Sequence, residues 1–323
     1  MRVARSFRPD VVYFWSQSEL CYWFVGAARR ERYPVAFFLS DTNFVSWRVG
    51  AWLGGLARRN SLIRGIFGKT FLVQGQPIIR HQSCHFASRF LRQVAERNDI
   101  PVDESHSIVA HWGIDPLQFG GSSRLRWPIR RLLYAGQLIP QKGVHTAIAA
   151  LGMLVQGPNG LDLTLTVAGG GLDLQYQQSL RDLASRLGIS DRVSFAGQIP
   201  RAELVETYAA HDVLVFPSEW DEPFAITPLE AMAAGLAIVG TITGGSGELL
   251  RNRETALTFV TGDGADCARA VSELCGDQQL YDEVRLNGER EVKNKHTLGA
   301  MVATVEAELM SIVGHKPVVA HAL

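Results

Sequence analysis

Short apolar runs alternate with helix-like segments along most of this 323-residue chain, and that alternation leaves few folds open. Apolar runs of four to six residues, separated by longer amphipathic stretches, are the pattern of parallel strands joined by crossover helices. The second half is the clearer. Strands are expected at 132–135, 163–168, 193–196, 213–216, 237–240 and 256–259. Helices are expected at 143–154, 174–187, 201–210, 228–234 and 265–274, with two more at 278–291 and 298–312. Layers of helix on a parallel sheet follow, and the fold class is α/β.

The first half is less regular. Strands are expected at 11–15, 35–39 and 107–110, with helices at 19–31 and 86–98. The stretch 44–68 is aromatic, basic and broken by glycines, and reads as a helical pair or a flap. Gly, Ser and Arg at 120–126 read as a linker. A length of 323 residues suits two domains.

The strand expected at 213–216 leads into Glu222-Pro-Phe-Ala-Ile-Thr-Pro-Leu-Glu230, which carries two carboxylates where a strand ends and a helix begins. In an open α/β sheet this is where ligands bind. Thr227 suits an N-cap and Pro228 the first helical position. A helix start offers free N–H groups and a positive dipole end, which attract phosphate. Carboxylates accept hydrogen bonds from hydroxyls. A ligand bearing both phosphate and many hydroxyls fits the set, and a sugar nucleotide is one. Two plainer readings stay open. Thr227-Pro-Leu-Glu230 also matches a capping box, with Glu230 no more than a cap, and Glu222 taken alone reads as a solvated loop acid.

The segment resembles the E-x7-E motif of the retaining glycosyltransferases of the GT-B type, glycosyltransferase family 4. Four further matches follow in order. Tyr134-Ala-Gly-Gln-Leu138 with Gln141-Lys-Gly-Val144 is similar to that family's G-R-L-x-x-E-K-G. Leu165-Thr-Val-Ala-Gly-Gly-Gly171 and Val193-Ser-Phe-Ala-Gly-Gln198 look like its second and third strands, and Gly244-Gly-Ser-Gly-Glu248 like its G-G-x-x-E loop. The resemblance implies two Rossmann-like domains facing a cleft. It implies transfer of a hexosyl group from a UDP- or GDP-linked sugar, with retention, to a glycan, lipid or small-molecule acceptor. Neither a cofactor nor a metal is implied, and polysaccharide biosynthesis is the setting.

The same resemblance implies roles. Glu222 and Lys142 would be catalytic: Glu222 on donor-sugar hydroxyls, Lys142 on the diphosphate. Glu230 would hold the ribose. Phe224, Ala225, Ile226 and Thr227 would face sugar and diphosphate, Gly136 and Gln137 would complete the phosphate turn, and Gln198 and Ile199 would border the base. Ser40 and Asp41 stand where the family reaches the sugar with a histidine. Gln137 replaces an arginine, Gln141 a glutamate and Ala225 a glycine, which would strain a left-handed backbone there. Lys142 also has its own logic: a cation in a helix's first turn is disfavoured by the dipole, so an anionic partner is expected.

The implied domains are 1–127, 128–296, and a helix at 297–323 crossing back to the first. The likeness begins at Arg8-Pro-Asp-Val-Val-Tyr13, which matches a strand from the middle of the family's first domain. The amino-terminal domain is therefore expected to be incomplete, with strand 11–15 at a sheet edge that a protein partner would pair with. An impaired sugar-nucleotide binder acting through a partner is the alternative to an active transferase. A dinucleotide oxidoreductase fits less well, since Gly169-Gly-Gly171 lacks the G-x-G-x-x-G spacing.

Charge bears on partners. The net charge is zero, so no bulk attraction to nucleic acid is expected. Residues 1–127 hold 17 basic and 9 acidic side chains against 15 and 23 in the remainder, so the halves carry +8 and −8. Many of those cations lie between Arg2 and Lys69, interleaved with Trp15, Trp23, Trp47 and Trp52. One reading is a peripheral contact with anionic lipid or a charged acceptor; the other is attraction between the two domains. The four cysteines follow no zinc or disulfide spacing and suit a reducing compartment. No apolar run approaches the 20 or so residues of a spanning helix, and Met1–Arg8 lacks a signal-peptide core. The expected location is the cytoplasm, with peripheral membrane contact as the variant.

Overall fold

The computed structural model describes residues 6–15, 21–46, 79, 81–120, 127–158 and 160–314. Most of the 44–68 stretch, with Trp47 and Trp52, and the linker residues 121–126 lie outside the described residues. The chain forms two units. One holds residues 1–111 and 301–323, the other residues 112–300.

In the first unit, four parallel strands lie side by side in chain order: β1 (Val12–Phe14), β2 (Val35–Leu39), β3 (Ser83–Phe86) and β4 (Ile108–Val109). Among the described residues β1 is an edge. Helix α1 (Cys21–Arg30) connects β1 to β2, a single turn α2 (Asn43–Ser46) follows β2, and α3 (Arg89–Arg97) connects β3 to β4. Sequence reading missed β3 and began its helix there, at Phe86. Ser83 and His85 break the apolar run, yet both are buried. The pairing of β3 with β2, from Ala36↔Ser83 to Leu39↔Phe86, decides the conformation. The helix starts only at Arg89, where the Ser88 hydroxyl accepts the Leu91 N–H at 3.1 Å.

The second unit has six parallel strands: β5 (Arg131–Ala135), β6 (Thr164–Ala168), β7 (Val193–Gly197), β8 (Val213–Phe216), β9 (Ala237–Gly240) and β10 (Leu257–Thr258). Their spatial order is β10-β9-β8-β5-β6-β7. The chain starts in the middle of the sheet, runs outward to one edge, returns, and runs to the other. β5 and β8 are thus neighbours, paired at Leu132↔Val213 and Leu133↔Leu214, while their connections leave in opposite directions. That is a topological switch point, and it opens a crevice at the carboxyl ends of these two strands.

Alternation along the strands feeds two cores. Leu132, Tyr134, Val213 and Val215 point to one face with Ile148 and Leu151 of α4 (Val144–Gln156), Leu180 of α5 (Leu174–Arg186) and Val271 of α8 (Gly264–Gly276). Leu133 and Leu214 point to the other face. There they meet Tyr208 of α6 (Arg201–Ala209), Leu229 and Met232 of α7 (Ile226–Ala233), and Val292 of α9 (Gln278–Lys295). Coverage on both faces explains why these strands read as unbroken apolar runs. The last helix, α10 (Leu298–Val313), begins in this unit and continues past Met301 into the other. Among the described residues no helix is long and apolar enough to cross a membrane.

Candidate functional site

Two segments meet at the switch point: the turn after β5 that carries Lys142, and the loop after β8 that carries Glu222. Their approach depends on glycine. Gly143 has φ +66°, and a Cβ there would lie 1.9 Å from the carbonyl oxygen of Pro217. Any side chain would push the two segments apart. With none, the Glu219 N–H donates to the Gln141 carbonyl at 2.8 Å. The loop is fixed from its other side by the turn at Gly244–Glu248. The Gly245 N–H donates to the Glu222 carbonyl at 2.6 Å, and the Thr241 hydroxyl to the Ser218 carbonyl at 2.6 Å.

This clamp sets the central pair. Lys142 Nζ donates to Glu222 Oε1 at 2.6 Å, and the Ser218 hydroxyl donates to the same oxygen, also at 2.6 Å. Oε2 accepts no hydrogen bond among the described residues. Glu222 is only 7% exposed, so the solvated-loop reading fails. The anionic partner expected for Lys142 is, in this state, Glu222. Lys142 closes a 3-10 turn (Pro140–Lys142) ahead of α4 rather than sitting in that helix's first turn.

Beside the pair starts α7, two residues earlier than a Thr227 cap would place it. Its N-cap is Ala225, which offers no side-chain hydrogen bond. The N–H groups of Ile226 and Thr227 precede the first intrahelical bond, which runs from the Leu229 N–H to the Ala225 carbonyl at 3.3 Å. Pro228 therefore falls third in the helix, where its missing N–H still costs nothing. Glu230 lies in the second turn, not the first, and the capping-box reading is overturned. Its carboxylate points to α6: Oε2 accepts the Tyr208 hydroxyl at 3.1 Å and Oε1 accepts Arg201 Nη1 at 3.2 Å. The strain anticipated at Ala225 is absent as well, since its φ is −89°.

Two neighbouring cavities result. One, of about 220 Å³, is lined by Lys142, Ser218, Glu222, Phe224, Ala225 and Ile226, among others. The second, of about 520 Å³, is lined by Gln137, Gly169–Gly171, Gln198, Ile199, Tyr208 and Glu230, among others. Ala135, Gly136 and Thr227 border both. The two glutamates thus face adjoining spaces separated by the start of α7. Burial, with the charges of Tyr176 and Glu222 behind it, pushes the Tyr134 hydroxyl far above its ordinary pKa, and it donates to the Gln137 carbonyl at 2.7 Å. Burial and then Glu230 do the same to Tyr208, which keeps its proton and stays a donor.

Every second-unit residue given a catalytic or donor-binding role from the sequence borders one of these cavities. Ser40 and Asp41 belong to the other unit, at the end of β2, where Asp41 Oδ1 accepts the Asn43 N–H at 2.8 Å and starts the α2 turn. Sequence reasoning missed Ser218, Tyr208 and Arg201. Ser218 had a weak signal, lying two residues past a buried strand, but nothing local marks the other two.

The arrangement places a fixed cation, two buried carboxylates and helix-start N–H groups that are unbonded among the described residues around two adjoining cavities. A model of the family described as glycosyl transferases group 1 matches residues 129–291. YtcC of Bacillus subtilis, a glycosyltransferase by name, is 30% identical over 247 residues, covering 70% of this chain and 59% of YtcC. Glycogen synthase of Mycobacterium tuberculosis is 37% identical over 166 residues, 49% of this chain and 39% of that enzyme. The chain therefore spans 59% and 39% of the length of these two relatives. Among solved structures, HepE of Anabaena in complex with UDP superposes with a TM-score of 0.75 at 21% identity, over 96% of this chain and 81% of HepE. That likeness concerns the fold.

Proposed function

Because the chain belongs to the glycosyl transferases group 1 family and has the α/β fold of the GT-B class, we propose that it transfers a hexosyl group from a UDP- or GDP-linked sugar to an acceptor hydroxyl with retention. The observation that carries this reading is the Lys142–Glu222 pair at 2.6 Å beside the uncapped start of α7. Departure of a nucleoside diphosphate leaves negative charge growing on oxygen. A fixed ammonium and helix-start N–H groups stabilise that charge in a water-poor crevice. On this reading the diphosphate takes Lys142 and the N–H groups of Ile226 and Thr227, and Glu222 turns its open Oε2 to sugar hydroxyls. Glu230 takes the ribose, and Gln198 and Ile199 border the base. Gln137 offers a neutral donor to phosphate in place of a charge. HepE has also been solved with UDP-glucose, which makes that donor the first to test. The acceptor class stays a glycan, a lipid or a small molecule, and the cytoplasm is the proposed setting.

A second reading is a sugar-nucleotide binder that turns over poorly and acts through a partner. It draws on Gln137, which brings no charge to the cavity it lines, and leaves Lys142 to neutralise the diphosphate without a second cation from this turn. A thermal-shift panel of UDP- and GDP-sugars tests the first step, since a ligand of the folded state raises its midpoint. A rise with at least one donor is expected. Release of nucleoside diphosphate over many turnovers then supports the enzyme, and stoichiometric binding without release supports the second reading. No shift with any donor sinks both.

A further inference from the structure

Glu230 is buried, 4% exposed, yet already has a donor on each oxygen. The two donors differ in how easily they can leave. Tyr208 is 1% exposed, and its ring packs edge-on against Phe119 with centroids 6.0 Å apart. Withdrawing it would open the core. Arg201 is the first residue of α6, its side chain is 76% exposed, and Nη1 alone reaches the carboxylate. It can swing into water, leaving the buried carboxylate with the Tyr208 hydroxyl as its remaining donor.

We propose that Arg201 is a displaceable guard on Glu230, which neutralises the carboxylate in the free protein and gives up Oε1 to hydroxyls of the donor's ribose. This rests on the reading of Glu230 as the ribose site. The guard makes binding an exchange: hydroxyl-to-carboxylate hydrogen bonds form only as the guanidinium departs. Donor affinity is therefore set below what the bare carboxylate would give. The exchange also blunts selection for ribose, because a sugar with one hydroxyl fewer gains less from Oε1 and can bind with the guanidinium still in place. A guanidinium that simply attracted the diphosphate would have the opposite effect on affinity, so the sign of the change separates the two roles.

The test is calorimetric titration of UDP, GDP and their 2′-deoxy forms into the wild-type chain, Arg201→Ala and Arg201→Gln. Loss of the charged donor to a buried carboxylate corresponds to a change in affinity of at least about fivefold. Both variants are expected to bind the ribonucleotide tighter by that factor and to gain less for its 2′-deoxy form. Unchanged or weaker ribonucleotide binding, in a protein whose wild type does bind it, overturns the guard and leaves the donor reading standing. Equal gains for ribo and deoxy forms also overturn it, since hydroxyl exchange would then play no part. Absence of binding by the wild type to either nucleotide overturns the donor reading and the guard with it.

Discussion

Replacing Lys142 with methionine keeps most of the side chain's volume and removes its charge. If Lys142 stabilises the departing diphosphate, the loss should fall on turnover. One well-placed donor to a developing oxyanion is worth about 3 kcal/mol, or roughly a 150-fold drop in kcat. The effect on KM should be far smaller, and the structure gives the reason. In the free protein the ammonium already sits 2.6 Å from Glu222 Oε1. Ground-state binding of the diphosphate must weaken that pair, so part of the attraction is cancelled before chemistry begins. A KM change of less than about fivefold follows. Stability should fall too. Glu222, 7% exposed, would keep only the Ser218 hydroxyl as a donor, and a buried acceptor stripped of its charged partner costs about 1–3 kcal/mol. Steady-state release of UDP from the donor that binds best, with saturation curves for wild type and variant, separates the terms. Denaturant unfolding sets the stability cost apart. A kcat within threefold of wild type, with the whole effect in KM, would refute the leaving-group role.

Other perturbations probe neighbouring parts of the argument. Glu222→Gln should cut transfer while leaving UDP affinity within about threefold, because its open oxygen is assigned to sugar rather than phosphate; paired kinetics and calorimetry check this. Gly143→Ala combines φ +66° with a Cβ placed 1.9 Å from the Pro217 carbonyl oxygen. It should cost more than about 2 kcal/mol in unfolding free energy and abolish donor binding, since the Lys142 turn loses its seat. His85, buried in β3 and sharing a 3.0 Å hydrogen bond with the Tyr13 hydroxyl, is held neutral. Burial pushes its pKa down to about 4, against a weaker upward pull from Glu308. Between pH 6.5 and 4 the unfolded chain therefore binds the extra proton, and stability falls as pH falls, by at most about 3 kcal/mol. Denaturant midpoints across that window should show the slope, and His85→Asn should flatten it.

What the sequence disclosed was set by how local each cause is. Strands β8 and β9 were legible to the residue, because burial on both faces leaves a continuous apolar run. β3 was not, because the partners of its buried polar groups lie far along the chain. The Cys84 N–H donates to the Ser107 hydroxyl at 3.0 Å, and His85 reaches Tyr13 across the sheet. No window around residue 84 contains either partner. The candidate site divides the same way. Its position followed from a strand ending beside a helix start, which is local. The behaviour of its charges did not. Thr227-Pro-Leu-Glu230 satisfied a local capping rule, yet Glu230 takes donors 22 and 29 positions away. Lys142 and Glu222 are 80 positions apart and meet because β5 and β8 are neighbours across the switch point. Local rules thus locate a crevice of this kind, while the sheet order decides which cation faces which carboxylate. Exchanging Lys142 and Glu222 tests that division. The pair would survive in reverse and stability would be largely kept, but the cation would then stand on the sugar side and transfer should be lost. Retained transfer in the swapped protein would mean that the charge's side of the crevice does not matter, and the leaving-group argument would fall with it.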